Sequence, residues 1–271
     1  MCLETKRNSN RRPLYIRSLR QYLALFAKGR DDIPIHSITV HDVDAWFAAR
    51  REAPATMASN LGRLSALFSF SVRRGYTPEN PCDRIERPII ERSAPEILTL
   101  EEIRTAMEFA FTRGQRFSLW LMLAMLVGVR RAELGRLTKD QVASQLSQRL
   151  LIVDAAASKV RQRRIIQIPS EIIGWIEIAL QVGGELPLTE ISVRRWLRRL
   201  RNALGKSKWT QDILRHTALS YMIAHHGDIS RVARESGNSP GILMTHYYGL
   251  VTPAESEALR NAEPQWTIPN R

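Results

Sequence analysis

Apolar positions recur at intervals of three and four from Leu14 to Phe26, through Ile16, Leu19, Tyr22 and Leu23, with Arg17, Arg20 and Lys28 set between and after them. That period predicts an amphipathic helix. A second helix follows His41, with Val43, Trp46, Phe47 and Ala49. A third runs from about Ala55 to Arg74 and turns Leu61, Leu64, Leu67, Phe68 and Phe70 inward. Gly75 is its expected stop, and Arg73 and Arg74 fall in the last turn, where cations suit the helix dipole. Pro78-Glu79-Asn80-Pro81-Cys82 then breaks regular structure, and Arg87 to Pro95 has the prolines and mixed charge of a linker. Residues 1–90 are thus expected to form a small all-helical domain.

The second domain, 97–271, opens at Leu98-Thr99-Leu100-Glu101-Glu102, where Thr99 can cap a helix and Glu102, three residues on, can complete a capping box. The stretch from Ser118 to Leu126 is nearly all apolar, so a helix there belongs in the middle of the domain. The apolar run from Phe117 to Val129 is too short to cross a membrane, which takes about 20 residues. The one strand-like passage is Leu150 to Asp154, followed by a small, basic turn and then Arg164 to Pro169, and this predicts a hairpin in a helical setting. Helices are expected again at Ser170–Gln181, Glu190–Leu204, Asp212–Ala224, Asp228–Glu235 and from Pro253 to Asn261.

Composition changes this picture only in part. With 271 residues, 44% hydrophobic and 25% charged, the chain is no disordered tail, collagen-like fibre or disulfide scaffold. The two cysteines, Cys2 at an N-terminus expected to fray and Cys82 between prolines, write neither a disulfide framework nor a metal site, and read as reduced thiols of a cytoplasmic protein. No apolar stretch follows the basic N-terminus, so no signal peptide is expected. His225 and His226 are expected to project apart on their helix and have no third ligand at metal spacing, so no metal is expected. Charge says more. Forty Lys and Arg against 27 Asp and Glu give +13, spread over both halves of the chain, and favour a polyanionic partner. Arg194, Arg195, Arg198 and Arg199 share one helical face, with Trp196, Leu197 and Leu200 turned inward, a stripe suited to phosphate contacts or to a solvated surface.

Four short segments carry candidate chemistry. Gly128-Val129-Arg130-Arg131-Ala132-Glu133-Leu134 sets an arginine three residues before a carboxylate; a planar guanidinium can hold two phosphate oxygens, although an i, i+3 pair also suits a solvated helix face. The hairpin turn Ala157-Ser158-Lys159-Val160-Arg161-Gln162-Arg163-Arg164 holds a single lysine. Leu214-Arg215-His216-Thr217 gives a second arginine, and Tyr247 stands nine residues after Asn238 of Gly237-Asn238-Ser239. In this order the segments resemble the tyrosine recombinases, the phage-integrase-type enzymes that cut and rejoin DNA through a tyrosine. The helical first unit ending in Glu79-Asn80-Pro81 is similar to that family's core-binding domain.

The resemblance implies a mainly α fold: a helical, SAM-like core-binding domain and a mainly α catalytic domain with a small β hairpin, closing around duplex DNA. Tyr247 would be the nucleophile, with Tyr248 its neighbouring rival. Arg130 and Arg215 would clamp the scissile phosphate and Lys159 would protonate the leaving 5′ oxygen. Glu133 would organise Arg130, and His216 would be structural support. Two positions depart from the family: Asp212 and Asn238 stand where histidine is usual. Asp212 could take the tyrosine proton only if the arginines offset its repulsion of phosphate, whereas Asn238 can donate through its amide. DNA contacts are expected from Arg131, Arg161, Arg163, Arg194, Arg195, Arg198, Arg63, Arg73 and Arg74. The implied reaction is transesterification through a 3′-phosphotyrosine without cofactor, metal or nucleotide, by a homotetramer on double-stranded DNA, in the cytoplasm at the nucleoid. Accessory DNA-bending proteins are potential partners, and the segment from Pro253 to Arg271 would be lent to a neighbouring protomer. The alternatives are a catalytically lapsed DNA-binding relative and a monomeric type IB topoisomerase.

Overall fold

The computed structural model describes residues 1–90, 93–154 and 163–261, and divides into two compact units, Met1–Arg92 and Ser93–Arg271. The first unit holds helices α1 (Cys2–Asn8), α2 (Pro13–Ala27), α3 (Val40–Arg50) and α4 (Pro54–Arg73). Prolines at the first turns of α2 and α4 cost nothing, because those N–H groups would have no partner within the helix. The inward stripes of α2, α3 and α4 meet as predicted in a core of Tyr22, Phe26, Val43, Phe47, Leu61, Leu64 and Phe68, with Trp46 edge-on to Phe26 at 5.1 Å. α4 stops at Arg73, and Gly75 takes the left-handed conformation, φ +71°, that favours glycine.

The N-terminus does not fray. It forms α1, which packs on α2 and buries Cys2, and the Tyr76 hydroxyl reaches Met1 Sδ at 3.5 Å. Burial pushes the thiol pKa of Cys2 up, and that of Cys82 to about 12, which keeps both protonated at neutral pH.

The second unit runs α5 (Leu100–Thr112), α6 (Gln115–Met125), α7 (Arg131–Leu134), α8 (Lys139–Leu146), β1 (Leu150–Val153), β2 (Arg164–Gln167), α9 (Ser170–Gln181), α10 (Glu190–Ala203), α11 (Ile213–His226), α12 (Ile229–Ser236), α13 (Pro240–His246) and α14 (Pro253–Arg260). Thr99 and Glu102 form the expected capping box at the start of α5. Every residue from Phe117 to Met125 is buried, because α6 is packed by α5, α9 and α11 together. β1 and β2 pair antiparallel, Leu150 opposite Gln167 and Val153 opposite Arg164. Three helices of this unit have no counterpart in the apolar pattern, α7, α8 and α13. All are short and are started by caps: Arg130 with Glu133, Thr138 with Gln141, and Ser239 ahead of Pro240. The rings of His225 and His226 do not project apart: their centroids lie 4.4 Å from each other at the end of α11, where both line a crevice beside Arg260 of α14.

Gly184 shows how tightly α6 and α9 meet. A Cβ there would lie 2.5 Å from the Ala179 carbonyl oxygen and 2.7 Å from Leu119 Cβ, so backbone has to move to admit it. Gly184→Ala is expected to cost about 1–3 kcal/mol, read as a lower urea midpoint at unchanged slope. An unchanged midpoint would mean that this junction yields freely.

Candidate active site

The turn after α6 ends in Gly128, whose φ of +71° and whose approach to Ala218, 3.2 Å from where a Cβ would stand, require glycine. Its carbonyl accepts from Arg215 Nη1 of α11. Two residues on, Arg130 caps the start of α7: its backbone N–H donates to Glu133 Oε2 (3.1 Å) and its Nη1 to Glu133 Oε1 (3.3 Å). Arg130 Nη2 donates to the Gly237 carbonyl (2.6 Å) and to Asn238 Oδ1 (2.8 Å). Arg215 Nη2 reaches the same Asn238 oxygen at 3.5 Å and the Ser236 carbonyl at 2.8 Å. One side-chain oxygen therefore ties together the two arginines. Two guanidinium donors can be met only by the oxygen of the amide, so the Nδ2 hydrogens of Asn238 point to the other side.

Arg164, the last residue of the basic turn and the first of the second predicted strand, is not among the expected site residues but sits beside Arg130 and Glu133. Along β2 the residues alternate, with Arg164 and Ile166 buried and Ile165 and Gln167 exposed, so the strand turns a charged residue inward. There Arg164 clamps Glu133 with two bonds, Nη1 to Oε1 at 3.0 Å and Nη2 to Oε2 at 2.6 Å, and its Nε donates to the Glu235 carbonyl at 2.8 Å. Glu133 has no exposed surface; burial alone would raise its pKa, but bonds from Arg164 and the charges of Arg164 and Arg130 hold it below the usual carboxylate range. The period-two phase of the strand, read from Ile166 backwards, was the signal for Arg164.

Three guanidinium groups thus face one carboxylate. Burial, and then the charge of Arg130, lower the pKa of Arg215 to about 9, and burial lowers that of Arg130. An arriving anion relieves this excess of buried positive charge. A cavity of about 410 Å³ borders Arg215 and Asp212 and is lined by Arg131, Arg194, Arg198 and Arg201.

Tyr247, at the end of α13, is buried, and its hydroxyl lies 2.9 Å from His216 Nδ1. Burial raises its pKa, the charges of Arg215 and Arg130 pull it down, and Asp212 pushes it up. Tyr248 is 60% exposed. Asp212, in the left-handed region at φ +67°, precedes α11 without capping it through its side chain, and is exposed.

No protein-family model matches the chain. Tyrosine recombinase XerC of Mycobacterium sp. (strain JLS) is 25% identical over 286 aligned positions, which cover 96% of this chain and 94% of that protein. A crystal structure of a lambda integrase dimer bound to a COC′ core site superposes with a TM-score of 0.73 at 17% identity, over 92% of this chain and 94% of that one. In sequence and fold the chain is similar to the tyrosine recombinases. A lambda integrase tetramer bound to a Holliday junction has the same fold, with a TM-score of 0.70 at 17% identity, over 88% of this chain and 75% of that one.

The remaining site expectations fall out unevenly. Lys159 and Arg161 lie outside the described residues. Arg131 and Arg194 converge on Glu190, at 2.7 and 3.2 Å, on the rim of the cavity. Arg195 and Arg198 are exposed on α10, and Arg163 is exposed on the approach to β2, 3.8 Å from Asp154. In the first unit Arg63 is engaged by Asn60 and by the face of Tyr22, 5.8 Å away, whereas Arg73 and Arg74 border an open pocket with Lys6 and Arg11. No helix among the described residues is long and apolar enough to cross a membrane.

Proposed function

We propose that this recombinase cleaves and rejoins duplex DNA at a specific site through Tyr247. The observation that carries the reading is the shared Asn238 oxygen, which holds Arg130 and Arg215 side by side within electrostatic reach of the Tyr247 hydroxyl. Two fixed guanidinium groups neutralise a phosphodiester and, more strongly, the added charge of its pentacoordinate transition state. Asn238 Nδ2 supplies one more donor to a phosphate oxygen. Attack by Tyr247 makes a 3′-phosphotyrosine and releases a 5′ hydroxyl; one ester replaces another, so rejoining needs no energy source.

Lys159 is the acid for the leaving oxygen in this reading. Lys159→Ala is expected to slow cleavage about 10²- to 10⁴-fold with DNA affinity within a few fold. An affinity that falls as steeply as the rate would make Lys159 a phosphate contact. Arg63, Arg73, Arg74, Arg131, Arg161, Arg163, Arg194, Arg195 and Arg198 hold phosphates along the duplex, which gives binding a steep salt dependence. The working assembly is a tetramer on two sites at the nucleoid, with DNA-bending proteins as accessories; lambda integrase, crystallised as a tetramer on a Holliday junction, supports the assembly. Of the segment expected to be lent, Pro253 to Arg271, α14 packs on α11 of its own chain with Leu259 in the core, so the exchange would fall to the residues after Arg260.

The test is a set of nicked suicide duplexes tiled from the DNA flanking the gene. A covalent protein–DNA adduct that survives denaturation is the expected result. Salt-sensitive binding without an adduct on any of them would leave only a DNA-binding protein.

A further inference from the structure

His216 lies one turn into α11, and its Nδ1 is 2.9 Å from the Tyr247 hydroxyl, with the two rings 5.6 Å apart between centroids. The imidazole is half-buried, and the Gln211 backbone beside it favours its charged form. Asp212 stands four residues before it, at the foot of the same helix, and the two residues are joined through the His216 N–H to the Asp212 carbonyl at 2.8 Å. Residues four apart share one face of a helix, and the carboxylate acts on the ring electrostatically, favouring its charged form. No other basic side chain among the described residues is hydrogen-bonded to the Tyr247 hydroxyl.

We propose that His216 takes the Tyr247 proton during strand cleavage and that Asp212 supports the imidazolium so formed. This rests on Tyr247 being the nucleophile, as in the reading above. As Tyr247 Oη bonds to phosphorus, its proton passes to His216 Nδ1 and the P–O5′ bond breaks, the leaving oxygen being protonated by the acid assigned to Lys159. Rejoining reverses each transfer, and His216 returns the proton to the departing tyrosine oxygen. A carboxylate in direct contact with the phosphate would be repelled by it; set behind an imidazole, the same carboxylate strengthens a base without facing the anion. The role of Asp212 is then that of a positioning and electrostatic partner, and the proton acceptor is its neighbour one turn up.

The ring is faced by Asp212 and Arg215 from α11 and its start, and by His246 and Tyr247 from the end of α13. Burial, Arg215 and His246 disfavour the charged ring while Asp212 favours it, and the balance keeps His216 neutral, able to accept, at neutral pH. Single-turnover cleavage on a suicide duplex should therefore lose rate on the acid side of neutrality. Asp212→Asn should move that limb to lower pH.

His216→Asn keeps a polar group near the position of Nδ1 without a usable base. It should slow adduct formation about 10²- to 10⁴-fold at unchanged DNA affinity. His216→Ala should be slowed similarly and recover at least tenfold with added imidazole but not with pyrazole, which has the same size and is a far weaker base. Wild-type cleavage by His216→Asn, equal rescue by both azoles, or a wild-type rate without an acid limb would overturn the proposal while leaving Tyr247 the nucleophile. The limb is read on the unaltered protein, so the test survives a variant that does not fold. Absence of any adduct from the wild-type protein would instead overturn the recombinase reading, and this proposal with it.

Discussion

Tyr247→Phe is expected to abolish the covalent adduct, a loss of roughly 10⁴-fold or more, because no other side chain can replace the oxygen that becomes bonded to phosphorus. The change removes one hydroxyl from a buried ring and leaves the ring's packing against Leu243 and Val232 intact. Its cost to stability is therefore about that of one hydrogen bond, 0.5–1.5 kcal/mol, with His216 Nδ1 left without its partner. Salt-dependent DNA binding should persist, since the arginines are untouched. Tyr248→Phe should still form the adduct, because Tyr248 stands on the surface. The measurement is denaturing electrophoresis of each variant on a nicked duplex that carries the cognate site. An adduct that persists in Tyr247→Phe and disappears in Tyr248→Phe would exchange their roles.

The second large effect is expected at Glu133. Its two oxygens satisfy Arg164 from both sides and steady Arg130, and all three groups are mostly or wholly buried. Glu133→Ala strands two guanidinium groups in the interior, and breaking a buried pair in this way costs about 3–5 kcal/mol. The urea midpoint should fall accordingly, and cleavage should fall with it as Arg130 loses its orientation. Glu133→Leu combined with Arg164→Met should regain part of the stability, since no charge is left stranded by Arg164, yet regain little of the activity. The pH dependence has a definite sign. A carboxylate held below its unfolded pKa stabilises the fold at pH values above the ordinary carboxylate range, and that share is lost as pH falls through the lowered value. Equal midpoints for wild type and Glu133→Ala would show that the two arginines find other partners at no cost.

Much of the fold was legible because long apolar periods leave little choice of face. The inward stripes of α2 and α4 are the core positions the spacing predicts, except Leu14, which is 72% exposed; α6 is buried all round as its apolar run predicts, and Thr99 with Glu102 starts α5 as the capping rule requires. The misses share a cause. α8 and α13 are too short for a period to declare itself and are set by caps, while α1 exists through contacts with α2 that local sequence does not encode. The candidate site divides in the same way. Motif order nominates Arg130, Arg215 and Tyr247, but the partners of those residues are tertiary. Arg164 looked like one more cation of a basic turn until the strand phase aimed it at Glu133. The contact of His216 with Tyr247 is likewise tertiary, made only where α13 returns to α11. Asn238 was expected to donate, yet its oxygen accepts from both arginines and only its nitrogen is left for a phosphate.

The way that oxygen is placed has a consequence for when the protein can be dangerous. Arg130 and Arg215 reach Asn238 across gaps of 108 and 23 residues in the chain, and Arg164 reaches Glu133 across 31. Each gap is closed only by the folded unit, so no fragment, early intermediate or locally opened form holds the arginines and the tyrosine together. Arg130, Arg164 and Arg215 are also written earlier in the chain than Tyr247. A chain that has not closed these gaps lacks the assembled constellation on which the proposed cleavage depends, and the topology alone thereby supplies an interlock.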